Sequence, residues 1–219
     1  MLNIKYRLKV ITLSILSLGL FSLTMATLSA DDSGLKSVTD MRKLQTSLKD
    51  GANLASYKSF ILEPVTATFK EGWVKNYNKD QRSLSHKMKD DDVIEVKGRL
   101  EKQFQISFAK YLTKKANLTE VKKAGEKTLR LKPVISKLVI NAPDIQGATS
   151  RVLMVQTVGK ATLDLEIYDA TSNELLGKIS SNRKTREYHE MRRTDRVFNK
   201  SEFIQVYNSW ARDYIALAK

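Results

Sequence analysis

The chain has 219 residues, with 38 Lys plus Arg against 24 Asp plus Glu, two His and no cysteine, for a formal net charge of +14. Without cysteine there is no thiol catalysis, no thiolate metal site, no disulfide and no lipid anchor through a thioether. The positive surplus draws the surface toward anions, or it is a Lys-rich solvated surface and nothing more.

Lys5, Arg7 and Lys9 precede an uncharged run from Val10 to Leu28, and Leu28-Ser29-Ala30 places small residues before Asp31-Asp32. A basic start, an apolar middle and a small-residue end mark residues 1–30 as a secretory signal peptide cleaved near Ala30. The alternative is an uncleaved N-terminal membrane anchor, since a run of that length just reaches across a bilayer. After cleavage no integral span would remain. Export points to the periplasm or the medium of a Gram-negative-type bacterium, where nucleic acid is not the expected partner.

Leu35, Val38, Met41, Leu44 and Leu48 recur at weak helical spacing, so 31–56 reads as a loosely ordered entry segment. Residues 57–219 read as a single α/β domain, long enough to bury its own core. The β-branched and aromatic residues of Tyr57 to Phe69 predict a first strand, with Pro64 demanding an edge or a bulge. Lys70 to Asp92 reads as a long basic connection carrying Trp73, Lys75 and Tyr77. Either its aromatics form an anion-binding loop, or they fold back onto the domain and leave the lysines in water.

Asp90-Asp91-Asp92 suits the positive end of a helix dipole. Val93, Val96, Leu100, Phe104, Phe108 and Tyr111 then form one apolar stripe, predicting a helix to about Lys115. Thr128 to Asn141 predicts a second strand, with Pro133 again implying an edge or bulge. The run Val152-Leu-Met-Val155 has no single reading. From Gly159 to Tyr188 the chain reads as a β-hairpin. Ala161, Leu163, Leu165 and Ile167 alternate with Thr162, Asp164, Glu166 and Tyr168, and turn formers occupy Asp169 to Glu174. A last helix is capped by Asn199 or Ser201 and buries Phe203, Val206, Tyr207, Trp210, Tyr214 and Leu217. The sum is an α+β fold, a two-layer α/β sandwich of about four mainly antiparallel strands. Two helices lie on one face, in the order β-α-β-β-β-α.

Arg183, Lys184, Arg186, Arg192, Arg193 and Arg196 crowd the end of the hairpin and the loop after it. They read equally as an anion- or partner-binding edge and as charges that guard an exposed strand edge. His86 and His189 are the only histidines, and HExxH, GxSxG, SxxK, GxGxxG and P-loop patterns are absent, so no cofactor or metal is expected. Asp164 and Glu166, two apart on one strand face, offer paired carboxylates for a secreted hydrolase. They more readily form a charge ladder facing Arg130 and Lys132, if those strands are neighbours.

The stretch Gly159-Lys-Ala-Thr-Leu-Asp-Leu-Glu-Ile-Tyr-Asp-Ala-Thr-Ser-Asn-Glu-Leu-Leu-Gly177 resembles the hairpin of the bacterial family of unknown function numbered 3313. The likeness extends from the Pro64 strand to the closing helix with Trp210-Ala211. Members of that family are often exported lipoproteins, and this chain lacks the cysteine that such anchoring needs. The resemblance implies an envelope location and supplies no activity or catalytic residue. Together these readings describe a non-enzymatic, exported envelope protein that binds a protein partner or an anionic lipid or glycan, with the hydrolase as the alternative.

Overall fold

Alternating apolar residues build the middle of the molecule. The computed structural model describes residues 34–41, 43–145 and 153–219, all within one unit spanning Asp32–Lys219. Residues 1–30, predicted as a signal peptide, and Val152 lie outside the described residues. Thirteen regular elements follow: β1 (Leu35–Met41), β2 (Leu44–Lys49), β3 (Ser59–Leu62), β4 (Thr66–Phe69), α1 (Trp73–Lys79), α2 (Asp90–Lys115), β5 (Thr119–Glu120), β6 (Thr128–Ile140), β7 (Leu153–Val155), β8 (Gly159–Asp169), β9 (Leu175–Lys184), β10 (Arg192–Thr194) and α3 (Arg196–Leu217).

The main sheet runs β1-β2-β9-β8-β6-β3-β5, with β4 also on β6, while β7 and β10 pair separately. The mixed α+β class holds. The count does not: among the described residues the sheet has eight strands and the helices number three, not about four and two. Pairing is mainly antiparallel, as expected, with β3 and β4 running parallel to β6 and β5 parallel to β3.

The strand predicted over 57–69 is cut in two at Glu63-Pro64-Val65. The Glu63 N–H donates to the Leu131 carbonyl at 2.9 Å, so the backbone polar groups of Leu131 point toward β3. By the two-residue period those of Pro133 point the same way, into the gap between β3 and β4. Pro133 therefore sits in an interior strand, not at an edge: its missing N–H faces the place where the neighbour is interrupted.

A second irregularity lies further along β6. Register with β8 shifts between Ser136 and Val139, and Lys137 takes φ 53°. This bulge reverses which residues face inward. Leu129, Leu131 and Ile135 are buried before it, Leu138 and Ile140 after it.

Within 31–56, read as a loosely ordered entry, the described residues form two paired strands. β1 and β2 pair, and β2 adds to β9. Thr46 is buried, and Leu44 and Leu48 pack against the core. A period of two with an open strand edge to join outweighs weak spacing at three and four.

In the 70–92 connection the aromatics fold back onto the domain, one of the two expected readings. α1 stacks Trp73 on Phe69 at 4.5 Å and on Tyr77 at 5.6 Å. The Asn78 side chain clamps Met88, donating to its carbonyl at 2.9 Å and accepting its N–H at 2.7 Å.

Helix α2 has the predicted bounds, and the Asp92 carboxylate accepts the Lys89 N–H at 2.9 Å in the first turn. Helix α3 starts earlier than predicted. Asp195, not Asn199 or Ser201, caps it by accepting the Phe198 N–H at 2.8 Å. The two long helices meet through Phe104, Tyr207 and Trp210. The Trp210 indole N–H donates to the Ser181 carbonyl of β9 at 3.0 Å, seating α3 on the apolar sheet face.

Candidate functional site

The opposite sheet face is an open polar ladder. Register places Glu166 across from Lys132, as expected, with Nζ 3.5 Å from the carboxylate. Asp164 lies across from Val134 rather than from Arg130, and accepts from Ser180 Oγ at 2.6 Å and Ser136 Oγ at 3.1 Å. Arg130 lies across from Tyr168, with its guanidinium 4.4 Å from the ring centre and 2.6 Å from Glu63. The Tyr168 hydroxyl donates to Glu166 at 2.9 Å. Each carboxylate is thus committed to hydrogen-bonding or ion-pairing neighbours on an open face.

The basic arm does not gather into one edge. Arg183 turns toward the helices, 2.5 Å from the buried Asp213 carboxylate of α3, and its Nε donates to Ser181 Oγ at 3.2 Å. Lys184 pairs with Glu187 at 2.8 Å. Arg186 and Arg192 come together around the Tyr188 ring, at 5.8 and 5.4 Å from its centre. The Tyr188 hydroxyl donates to the buried Glu202 at 2.9 Å, and burial followed by that bond raises its pKa. Arg193 is exposed on β10 across from Met154. Arg196, the first residue of α3, reaches a different neighbourhood altogether. The secondary set is split as well: Trp73 is 8 % exposed and Tyr77 half-buried beside it, leaving Lys75 in water.

Arg196 leads to the feature that sequence reasoning missed. Between α2, α3 and the chain leaving β6 lies a cleft of about 330 Å³. Its walls are mostly apolar, formed by Val96, Leu100, Ile106, Ile140, Pro143 and Phe203. Its charged lining is four cations, Arg99, Lys102, Arg196 and Lys200, against one carboxylate, Asp144. Arg196 Nε lies 2.5 Å from Asp144 Oδ2. From the other helix, Arg99 donates to the Asp144 carbonyl at 2.8 Å and stands 3.7 Å from Oδ2, while also pairing with Glu95. Lys102 and Lys200 have no ion-pair partner among the described residues. Asn199 donates to the Ala142 carbonyl at 2.8 Å, and its Oδ1 is buried without a partner among the described residues. Such a volume falls at the low end of the ~300–1,000 Å³ range of small-molecule sites. Half-exposed Ile106 marks its open side.

The family model described as "Protein of unknown function (DUF3313)" matches residues 27–214. The chain belongs to this family. Comparison with curated proteins gives no match. Among solved structures, the chain is similar to the PelC dodecamer from Paraburkholderia phytofirmans, at 8 % identity and a TM-score of 0.38, over 76 % of this chain and 90 % of that one. A Xanthomonas campestris protein of family DUF330 is similar at 8 % identity and a TM-score of 0.35, over 76 % of this chain and 86 % of that one. No helix of the described residues is long and apolar enough to cross a membrane, and no group of three or more His, Asp or Glu among them is placed to hold a metal ion.

The missed residues carried a faint signal. Arg99, Lys102 and Gln103 sit at helical spacing beside Val96, Leu100 and Ile106, so one flank of α2 is both basic and apolar.

Proposed function

We propose that this chain is an exported, non-enzymatic envelope protein that holds an amphipathic ligand in the cleft between α2 and α3. The observation that carries the reading is the pairing of apolar walls with a lining of four cations in one cleft. A site that is mainly apolar with few polar groups is the usual form of a small-molecule pocket. The basic-apolar pattern of residues 1–30 supports export. The hydrolase alternative loses its support from Asp164 and Glu166, whose positions on an open, hydrogen-bonded ladder offer a substrate no enclosure.

A neutral fluorescent probe tests the site without engaging its charges. N-phenyl-1-naphthylamine added to the purified protein should brighten and saturate at one probe per chain. Gln103→Trp, which places an indole in the cleft, should abolish the saturable phase while leaving the circular dichroism spectrum unchanged. Equal binding by both proteins, or no saturable binding by the native chain, would contradict the assignment. N-terminal sequencing of the protein recovered from the envelope fraction checks export separately: a start at Asp31 is expected.

A further inference from the structure

Resting on the cleft as the binding site, we infer that its occupant is a single-chain amphiphile ending in a carboxylate, and that this head displaces the Asp144 carboxylate from between Arg99 and Arg196. Two guanidiniums from different elements converge on one carboxylate at the cleft: Arg196 from the start of α3 and Arg99 from the third turn of α2. The protein's own carboxylate there stands in for a ligand's. Arginine forks suit carboxylates in particular, because the planar donors match both oxygens.

Two further observations favour an incoming anion over a neutral molecule. Even with Asp144 in the cleft and Glu95 on Arg99, four cations meet two carboxylates, and Lys102 and Lys200 have no ion-pair partner among the described residues. The Asp144 side chain is a third exposed and Arg196 is 60 % exposed, so exchange of one carboxylate for another requires no opening of the core. Behind the charges, Val96, Ile140 and Phe203 are buried members of the core and give an alkyl chain a dry wall. The volume suits one chain, not two.

The test is a displacement assay against N-phenyl-1-naphthylamine with octanoate, decanoate, dodecanoate, dodecanol and acetate, kept below their micellar concentrations. Affinity of the carboxylates should rise about fourfold per methylene until the cleft is full. Dodecanol should bind about tenfold more weakly than dodecanoate, the loss expected for one charge-assisted hydrogen bond. Acetate should not displace the probe. Asp144→Asn should tighten dodecanoate and leave dodecanol unchanged. Arg196→Gln, at an exposed position, should weaken dodecanoate about tenfold and again leave dodecanol unchanged. Dodecanol matching dodecanoate, or Asp144→Asn weakening the acid, overturns the inference while the cleft remains a binding site. Failure of the probe itself to bind overturns the underlying site assignment instead.

Discussion

Gly159 is a residue whose side chain would have nowhere to go. A Cβ built there would lie 2.1 Å from the Val139 carbonyl oxygen and 3.2 Å from the Phe203 ring. Gly159→Ala should therefore cost about 3 kcal/mol, the upper end of overpacking costs, read as a drop in the urea midpoint at unchanged slope. Lys137 is the converse case. It holds φ 53° at the β6 bulge, a conformation that disfavours any residue with a Cβ. Lys137→Gly should stabilise by about 0.5–1 kcal/mol, checked by the same denaturation curve. Asp169 ties the hairpin turn: its Oδ1 accepts the N–H groups of Thr171 and Ser172 at 2.8 Å, and its Oδ2 accepts the Tyr57 hydroxyl at 2.8 Å. The Ser172 N–H and then Tyr57 hold its pKa below the ordinary carboxylate value, while burial, reinforced by Asp169, pushes Tyr57 up to about 12. A depressed folded pKa stabilises above the unfolded value near ~4 and is lost as pH falls through the folded one. Stability measured from pH 6 downward should fall more steeply in the native chain than in Asp169→Asn; parallel curves would contradict this. At this scale the prolines were legible as irregularities, since a missing N–H leaves few placements. That Pro133 lies opposite a broken neighbour was not, because the neighbour is more than 60 residues away in the chain.

Between elements, the Arg183–Asp213 pair fastens β9 to α3. Asp213 is 8 % exposed and also accepts from the buried Ser181 hydroxyl at 2.7 Å. Arg183→Ala strands that carboxylate and should cost about 2–3 kcal/mol, less than a fully buried pair because Arg183 is a third exposed. Adding Asp213→Asn should recover part of the loss; full additivity of the two in a double-mutant cycle would show that the pair is not coupled. Elements with agreeing local and tertiary signals were read well. Helix α2 combines three aspartates at its start, an apolar stripe and two lysines at its end. The β8–β9 hairpin combines strict alternation with a strong turn. The β1–β2 hairpin and the start of α3 were misread for opposite reasons. In the first, weak helical spacing hid a pairing decided by the free edge of β9. In the second, Asn199 has cap chemistry but spends its amide on Ala142, and Asp195 does the capping.

For the whole molecule, the contrast is between a fold that repeats local patterns and a site that does not. Arg99, Asp144 and Arg196 are brought together from three stretches of chain, with no fixed spacing that a sequence pattern could capture. The conspicuous basic arm, by contrast, was legible as composition but disperses in space: Arg183 turns to the helix side, Lys184 pairs with Glu187, Arg186 and Arg192 flank Tyr188, and Arg196 joins the cleft. Charge counted along the chain thus overstated one surface and passed over another. The central claim is that the apolar and cationic lining of the α2–α3 cleft is where a ligand sits. Isotope-filtered NOE spectroscopy of the methyl-labelled protein with dodecanoate measures this directly. Contacts from the alkyl chain to the methyls of Val96, Leu100 and Ile106 are predicted. Contacts instead to Leu84, Met191 or Val38, which are exposed apolar side chains elsewhere, or no contacts at all, would contradict it.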